Sequence, residues 1–167
     1  RNTEDKDKLW ERLKDGTIDC VVTDHAPHTL EAKSVGYPKA PAGMPGVETS
    51  LPLMLTHAID GKCSVSDVVQ WMCEGPAKVY NIENKGSLIE GYDGDLTLVD
   101  LETHRTITDA DTWTKVGWTP YDGFELTGLP MWTIVDGIPV HSRTKNGPFR
   151  GKPLVKPGQT GRSLRFR

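Results

Sequence analysis

The spacing of apolar positions changes character along the chain. Leu9, Trp10 and Leu13 form a stripe at helical spacing. Thr3 stands ahead of them as a cap, and Glu4 and Asp5 suit the positive end of the helix dipole. Asp15-Gly16 should stop this helix. Ile18-Asp19-Cys20-Val21-Val22 is apolar without clean alternation, which predicts a strand over about residues 18–23, buried on both faces as in parallel sheets. Residues 24–46 are rich in Pro and Gly and read as one long loop, of a length that marks functional loops in compact domains. Helical spacing returns over about 47–59, with Pro52 early enough to be tolerated, and over about 64–72, with Ser64 or Ser66 as cap. Gly75-Pro76 is expected to break that helix, with one further turn over 77–80. Beyond residue 94 the period falls to two. Residues 96–99, 105–107 and 132–135 read as strands, and Asp136-Gly137 before Ile138-Pro139-Val140 is a hairpin signal.

Helix, short turn and strand make the αβ half of a barrel unit. A parallel strand needs neighbours reached through helical crossovers, and no second strand of that kind precedes residue 94. The chain also opens at Arg1, directly into a helix. The expectation is the C-terminal portion of a longer polypeptide, whose upstream part is this chain's first partner. Three regions follow: 1–82 with the last barrel strand, 83–141 with the later strands, and a basic stretch over 142–167.

Charge and composition narrow the partners. A net charge of −3, from 20 basic and 23 acidic residues, gives no electrostatic case for nucleic acid. Arg143, Lys145, Arg150, Lys152, Lys156, Arg162, Arg165 and Arg167 follow Asp136 with no acid among them. They read as a solvated, extended tail over the body, a contact to an anionic partner being the alternative. No apolar run approaches membrane-spanning length. Cys20, Cys63 and Cys73 form no C-x-x-C pair and suggest reduced thiols in a cytoplasmic compartment, with Cys20 a small core residue.

The chemistry concentrates in Thr23-Asp24-His25-Ala26-Pro27-His28-Thr29. A carboxylate and two imidazoles stand where the predicted strand gives way to the loop, the end of a barrel strand at which catalysis takes place. An Asp there can ligate a metal or move a proton. On local spacing alone, a turn in which Asp24 caps its own backbone fits equally well. Thr29, Glu31 and Lys33 read as shaping the loop, and His57, His104 and His141 as packing or surface residues.

The run from Thr23 to Lys33, followed by Pro41-Ala42-Gly43-Met44-Pro45-Gly46-Val47-Glu48, resembles the dihydroorotases of the amidohydrolase superfamily, of type I and of multifunctional proteins. The resemblance continues through Lys85-Gly86-Ser87-Leu88-Ile89-Glu90-Gly91-Tyr92-Asp93-Gly94-Asp95-Leu96, Trp118-Thr119-Pro120-Tyr121-Asp122-Gly123 and Trp132-Thr133-Ile134-Val135-Asp136-Gly137. It implies an α/β fold: the C-terminal part of a metal-dependent (β/α)8 TIM barrel, followed by strands of a small β-sandwich. It implies zinc-dependent, reversible hydrolysis of dihydroorotate to N-carbamoyl-aspartate in pyrimidine biosynthesis. Asp24 is then the catalytic residue and a metal contact, His28 binds the substrate carboxylate, and Ala26, Ala42 and Gly43 contact substrate through their backbones. Two Zn2+ ions are implied, with the remaining ligands outside this chain, since the sequence holds no His-x-His pair. The segment alone is therefore expected to be inactive. A homo-oligomer stays open. Allantoinase or hydantoinase chemistry, or a silent scaffold, are the alternatives; the second His of Asp-His-Ala-Pro-His favours dihydroorotase.

Overall fold

A computed structural model of the chain describes residues 3–156. Helix α1 (Thr3–Lys14) uses its stripe sparingly: Trp10 and Leu13 pack against the core while Leu9 stays exposed. Helix α3 (Ser50–Ile59) is the central element, with Pro52, Met54 and Leu55 buried. Helix α4 (Val65–Val69) begins at Ser64, whose hydroxyl accepts from Asp67 N while the Asp67 carboxylate accepts from Ser64 N. This reciprocal cap decides between the two candidate serines.

Gly75-Pro76 does not break the helix. The chain runs from α4 through a π-helical turn, Gln70–Glu74, into α5 (Gly75–Val79), with Gly75 itself in right-handed helical geometry. The wider turn seats Pro76 at the start of a new helical stretch, where its missing N–H is harmless. Gly75 is needed for a different reason: a Cβ there would lie 2.4 Å from Asp19 O. The helix therefore presses on the 18–23 segment.

That segment forms no ladder. Residues 19–29 carry no regular secondary structure, and the Val21 N–H is used by Trp71 O in the π turn, at 2.9 Å. Val22 remains 58% exposed. A parallel strand exists only through its neighbours, and among the described residues none lies beside it. The loop over 24–46 is not wholly irregular either, because it contains α2 (Leu30–Ser34), capped by Thr29.

The second half is one antiparallel sheet in the order β1-β2-β3-β4: β1 (Leu96–Thr106), β2 (Glu125–Val135), β3 (Ile138–Ser142) and β4 (Lys152–Pro153). Asp136 and Gly137 both have positive φ, 53° and 76°, and make the expected hairpin turn. Strand β2 is longer than its sequence suggests, because Pro130 and Gly128 interrupt the alternation. Each sits at an irregularity: Val99 pairs with Pro130 after Leu98 pairs with Trp132, and β1 bulges between Asp100 and His104 opposite Gly128.

Two apolar clusters share α3. Met54, Leu55, Val68 and Trp71 form one; Ile107, Leu126, Leu129 and Phe149 form the other, with Leu53 reaching into it. Two residues of the basic stretch, Arg143 and Phe149, join this second cluster, while Lys145, Arg150, Lys152 and Lys156 are exposed. Phe149 and Arg143 are buried, Arg143 Nη1 donates to Pro130 O at 2.6 Å, and its guanidinium lies 4.7 Å from the Phe149 ring centroid. Guanidinium faces tolerate aromatic burial, which a charge count along the sequence does not show. Arg162, Arg165 and Arg167 lie outside the described residues.

Two predictions follow from the packing of α3. Gly128 has φ +86°, and an added Cβ would meet Leu55 Cβ at 2.8 Å. Gly128→Ala should therefore cost about 2 kcal/mol or more in chemical denaturation. His57 lies edge-on to Trp10 at 5.2 Å, and burial, then the Lys62 charge, push its imidazole below its ordinary value of 6.5. Below that value the unfolded chain takes up the proton first, so stability should fall as pH drops from about 6.5. Denaturation midpoints at two pH values check this, and His57→Gln should flatten the difference.

Candidate active site

Asp24 is exposed and has φ +45°, a left-handed conformation that Asp tolerates better than most residues. Among the described residues, no hydrogen-bond or ion-pair partner engages the Asp24 carboxylate or the His28 imidazole. The turn reading, in which Asp24 caps its own backbone, therefore has no hydrogen bond behind it.

The neighbouring residues are all engaged. His25 Nδ1 accepts from Gly46 N at 3.1 Å and from Val47 N at 3.3 Å, so the neutral ring carries its proton on Nε2. These bonds close the neck of the loop. Ala26 N donates to Met44 O at 3.2 Å. Gly43 has φ +96°, and a Cβ there would stand 2.6 Å from Ala26 O and 2.8 Å from Ala26 Cβ. Ala26 and Gly43 are thus in backbone contact, which only glycine at 43 allows. Lys33, from α2, donates to Pro41 O and Gly43 O, each at 2.9 Å. Ala42, between them, is exposed.

Two contacts that brace the loop were not legible from the sequence. Trp118 Nε1 donates to His28 O at 2.8 Å, tying the loop to the sheet half of the molecule. The turn that presents Trp118 is built by the Asp109 and Asp122 carboxylates, which accept from Thr119 N at 2.7 Å and Asp109 N at 2.9 Å. Glu48 accepts from Trp113 N at 2.8 Å and Thr114 N at 2.9 Å. In the sequence, Glu48 and the Trp118–Gly123 string stand out only as parts of motif strings, the latter dense in turn formers, and nothing local announces these contacts. Behind the neck lies an apolar cavity of about 400 Å3, lined by Val21, Val22, Met44, Leu53, Met54 and Leu126 among others.

The other histidines are occupied. His104 Nδ1 meets Thr127 Oγ1 at 2.8 Å and His141 Nε2 meets Arg150 O at 2.8 Å. Among the described residues no group of three or more His, Cys, Asp or Glu side chains could hold a metal ion. A catalytic zinc takes about three protein ligands. Asp24 offers one donor, so these residues by themselves do not fit a zinc site.

The chain matches the Amidohydrolase family over residues 1–136. It is 39% identical over 165 residues to a dihydroorotase of Pyrococcus furiosus, covering 98% of this chain and 38% of that protein. It is 40% identical over 138 residues to a dihydroorotase of Staphylococcus aureus, covering 82% of this chain and 32% of that protein. Among solved structures, the L-hydantoinase (dihydropyrimidinase) of Arthrobacter aurescens superimposes with a TM-score of 0.80 at 36% identity, over 93% of this chain and 34% of that one. A dihydropyrimidinase of Brevibacillus agri gives 0.81 at 26% identity, over 94% and 37%. The fold is thus the α/β fold of the amidohydrolase barrel enzymes, and the chain spans a little over a third of the length of the first curated relatives it matches. It belongs to the amidohydrolase family.

The clamp at the neck gives a direct prediction. His25→Leu removes the shared acceptor, and the Gly46 and Val47 amides should exchange with solvent about tenfold faster. His25→Asn retains an acceptor and should stay near the wild-type rate.

Proposed function

We propose that the complete polypeptide carrying this chain is a dihydroorotase that opens and closes the cyclic amide of L-dihydroorotate. The observation behind this reading is an exposed Asp24 carboxylate at φ +45°, without a partner among the described residues, beside a loop braced at His25, Ala26 and Lys33, in a chain 39–40% identical to dihydroorotases. In the hydrolytic direction, water attacks the ring carbonyl carbon. Asp24 takes the proton released by the water and delivers it to the leaving amide nitrogen as the C–N bond breaks. His28, held through its own carbonyl by Trp118 Nε1, offers its imidazole to the substrate carboxylate. In the same reading, backbone groups at Ala26, Ala42 and Gly43 contact the substrate.

The reading includes two zinc ions, which would polarise the carbonyl if bound. Asp24 could join their ligands, and the other donors would have to come from the upstream part of the polypeptide. This chain alone then turns over nothing. Pyrimidine biosynthesis in the cytoplasm and a small-molecule substrate belong to the same proposal, with a homo-oligomer compatible with it. The similarity to the Arthrobacter aurescens L-hydantoinase favours a second reading, a hydantoinase-type cyclic amidohydrolase. A silent scaffold is the third.

Turnover of dihydroorotate and of hydantoin by the complete, zinc-loaded polypeptide separates the three. Dihydroorotate turnover is expected, with Asp24→Asn lowering kcat by about 10^3 and His28→Ala raising KM about tenfold. Hydantoin turnover alone would move the assignment to the second reading, and neither activity in a folded, metal-bound protein to the third.

A further inference from the structure

Lys33 does more than brace a surface loop. Its Nζ donates to the carbonyls of Pro41 and Gly43, each at 2.9 Å, from a half-buried position on α2. The only cis peptide among the described residues is Tyr37-Pro38, so the Pro41-Ala42 and Gly43-Met44 peptides are trans. In a planar trans peptide, C=O and N–H point in opposite directions. Carbonyls drawn towards Lys33 therefore turn the N–H groups of Ala42 and Met44 away from it. Ala42 is exposed, and among the described residues its N–H has no acceptor.

The other contacts keep this arrangement from relaxing. Met44 O receives the Ala26 N–H at 3.2 Å, and the contact between Gly43 and Ala26 leaves no room for a side chain. The Pro41–Met44 backbone is thus held on one side by an ammonium and on the other by the 24–28 segment of the loop. An ammonium on a peptide carbonyl also polarises that peptide, which strengthens its N–H as a donor. A free, polarised N–H backed by a fixed positive charge suits an anionic group.

We propose that Lys33 is a positioning residue: by holding the Pro41 and Gly43 carbonyls, it presents the Ala42 N–H as a donor to a carboxylate of the ligand. This rests on the assignment of the 24–46 loop as the substrate loop.

The test is made in the complete polypeptide with Lys33→Met and Lys33→Arg. Steady-state kinetics with dihydroorotate are paired with calorimetric binding of N-carbamoyl-L-aspartate and with amide exchange at Ala26, whose N–H reports on the Met44 carbonyl. Lys33→Met should raise KM and the product Kd about tenfold while kcat stays within about threefold, and should speed Ala26 exchange. Lys33→Arg, which keeps charge and donors, should recover most of the affinity. KM and Kd within twofold of wild type in folded Lys33→Met would overturn the proposal, as would a fall in kcat without a change in KM. If Lys33→Met does not fold, Lys33→Gln is read by the same criteria. Should the wild-type protein turn over no cyclic amide, the dihydroorotase assignment fails, and the Lys33 proposal is judged on product binding and Ala26 exchange. Faster exchange with weakened binding sustains it, and any other result overturns it.

Discussion

The close approach of α3 to β2 at Gly128 is the constraint on which the rest of the structure depends. Gly128 takes φ +86° and leaves Leu55 Cβ where a side chain would otherwise stand. At the next residue, Thr56 Oγ1 accepts from Thr127 N at 2.9 Å and also lies 3.1 Å from Thr127 O. The hydroxyl also lies 2.8 Å from Pro52 O, so its one proton is shared between a helix carbonyl and the strand at the point where the ladder is irregular. With α3 fixed on the sheet, the residues leading into it are fixed too. Gly46 and Val47 present their N–H groups to His25, and Glu48 binds the backbone of Trp113 and Thr114. The geometry of the candidate site is therefore set from outside the loop, by a helix seated on a strand some 80 residues further along the chain (Gly46 to Gly128).

The motif strings divide into two kinds once their contacts are seen. The Lys85–Leu96 string is structural. Lys85 Nζ pairs with Asp93 at 3.0 Å and with Asp95, and Asp95 accepts from Asp136 N at 2.8 Å. That ties the hairpin between β2 and β3 to the chain ahead of β1, and Gly137 N to Gly94 O at 2.9 Å completes the tie. The Trp118–Gly123 string is structural at Asp122 and Tyr121 but reaches the site through Trp118. In the 24–46 loop the Asp24 and His28 side chains are unengaged among the described residues, while the backbone is held at Ala26, Pro41, Gly43, Gly46 and Val47. On the proposed assignment, a site with these two side chains free and its supports engaged is preorganised in the sense that matters for catalysis.

Local rules made much of this legible. The α1 stripe, the Ser64 cap and the Asp136-Gly137 turn all follow from residues within a few positions of one another. The structure departs from sequence reasoning where a distant partner decides. Residues 18–23 have the composition of a buried strand, but strand geometry comes from neighbours. Gly75 and Pro76 look like a stop, yet a π turn absorbs them because Gly75 must fit against Asp19. The first half of β2 was hidden by Gly128 and Pro130, both of which serve tertiary contacts. Arg143 read as a solvated charge because nothing local announces that Phe149 will lie against it.

The central claim is that Asp24 stands free so that it can exchange a proton with the amide nitrogen of a ring held by His28 and the clamped loop. A crystal structure of the complete polypeptide with N-carbamoyl-L-aspartate tests it most directly. The account predicts an Asp24 carboxylate oxygen within hydrogen-bond reach of the nitrogen that closes the ring, the His28 imidazole on a ligand carboxylate, and the 24–46 backbone close to the conformation described here. A ligand bound away from Asp24, or an Asp24 carboxylate turned into a salt bridge with another part of the protein, would contradict it.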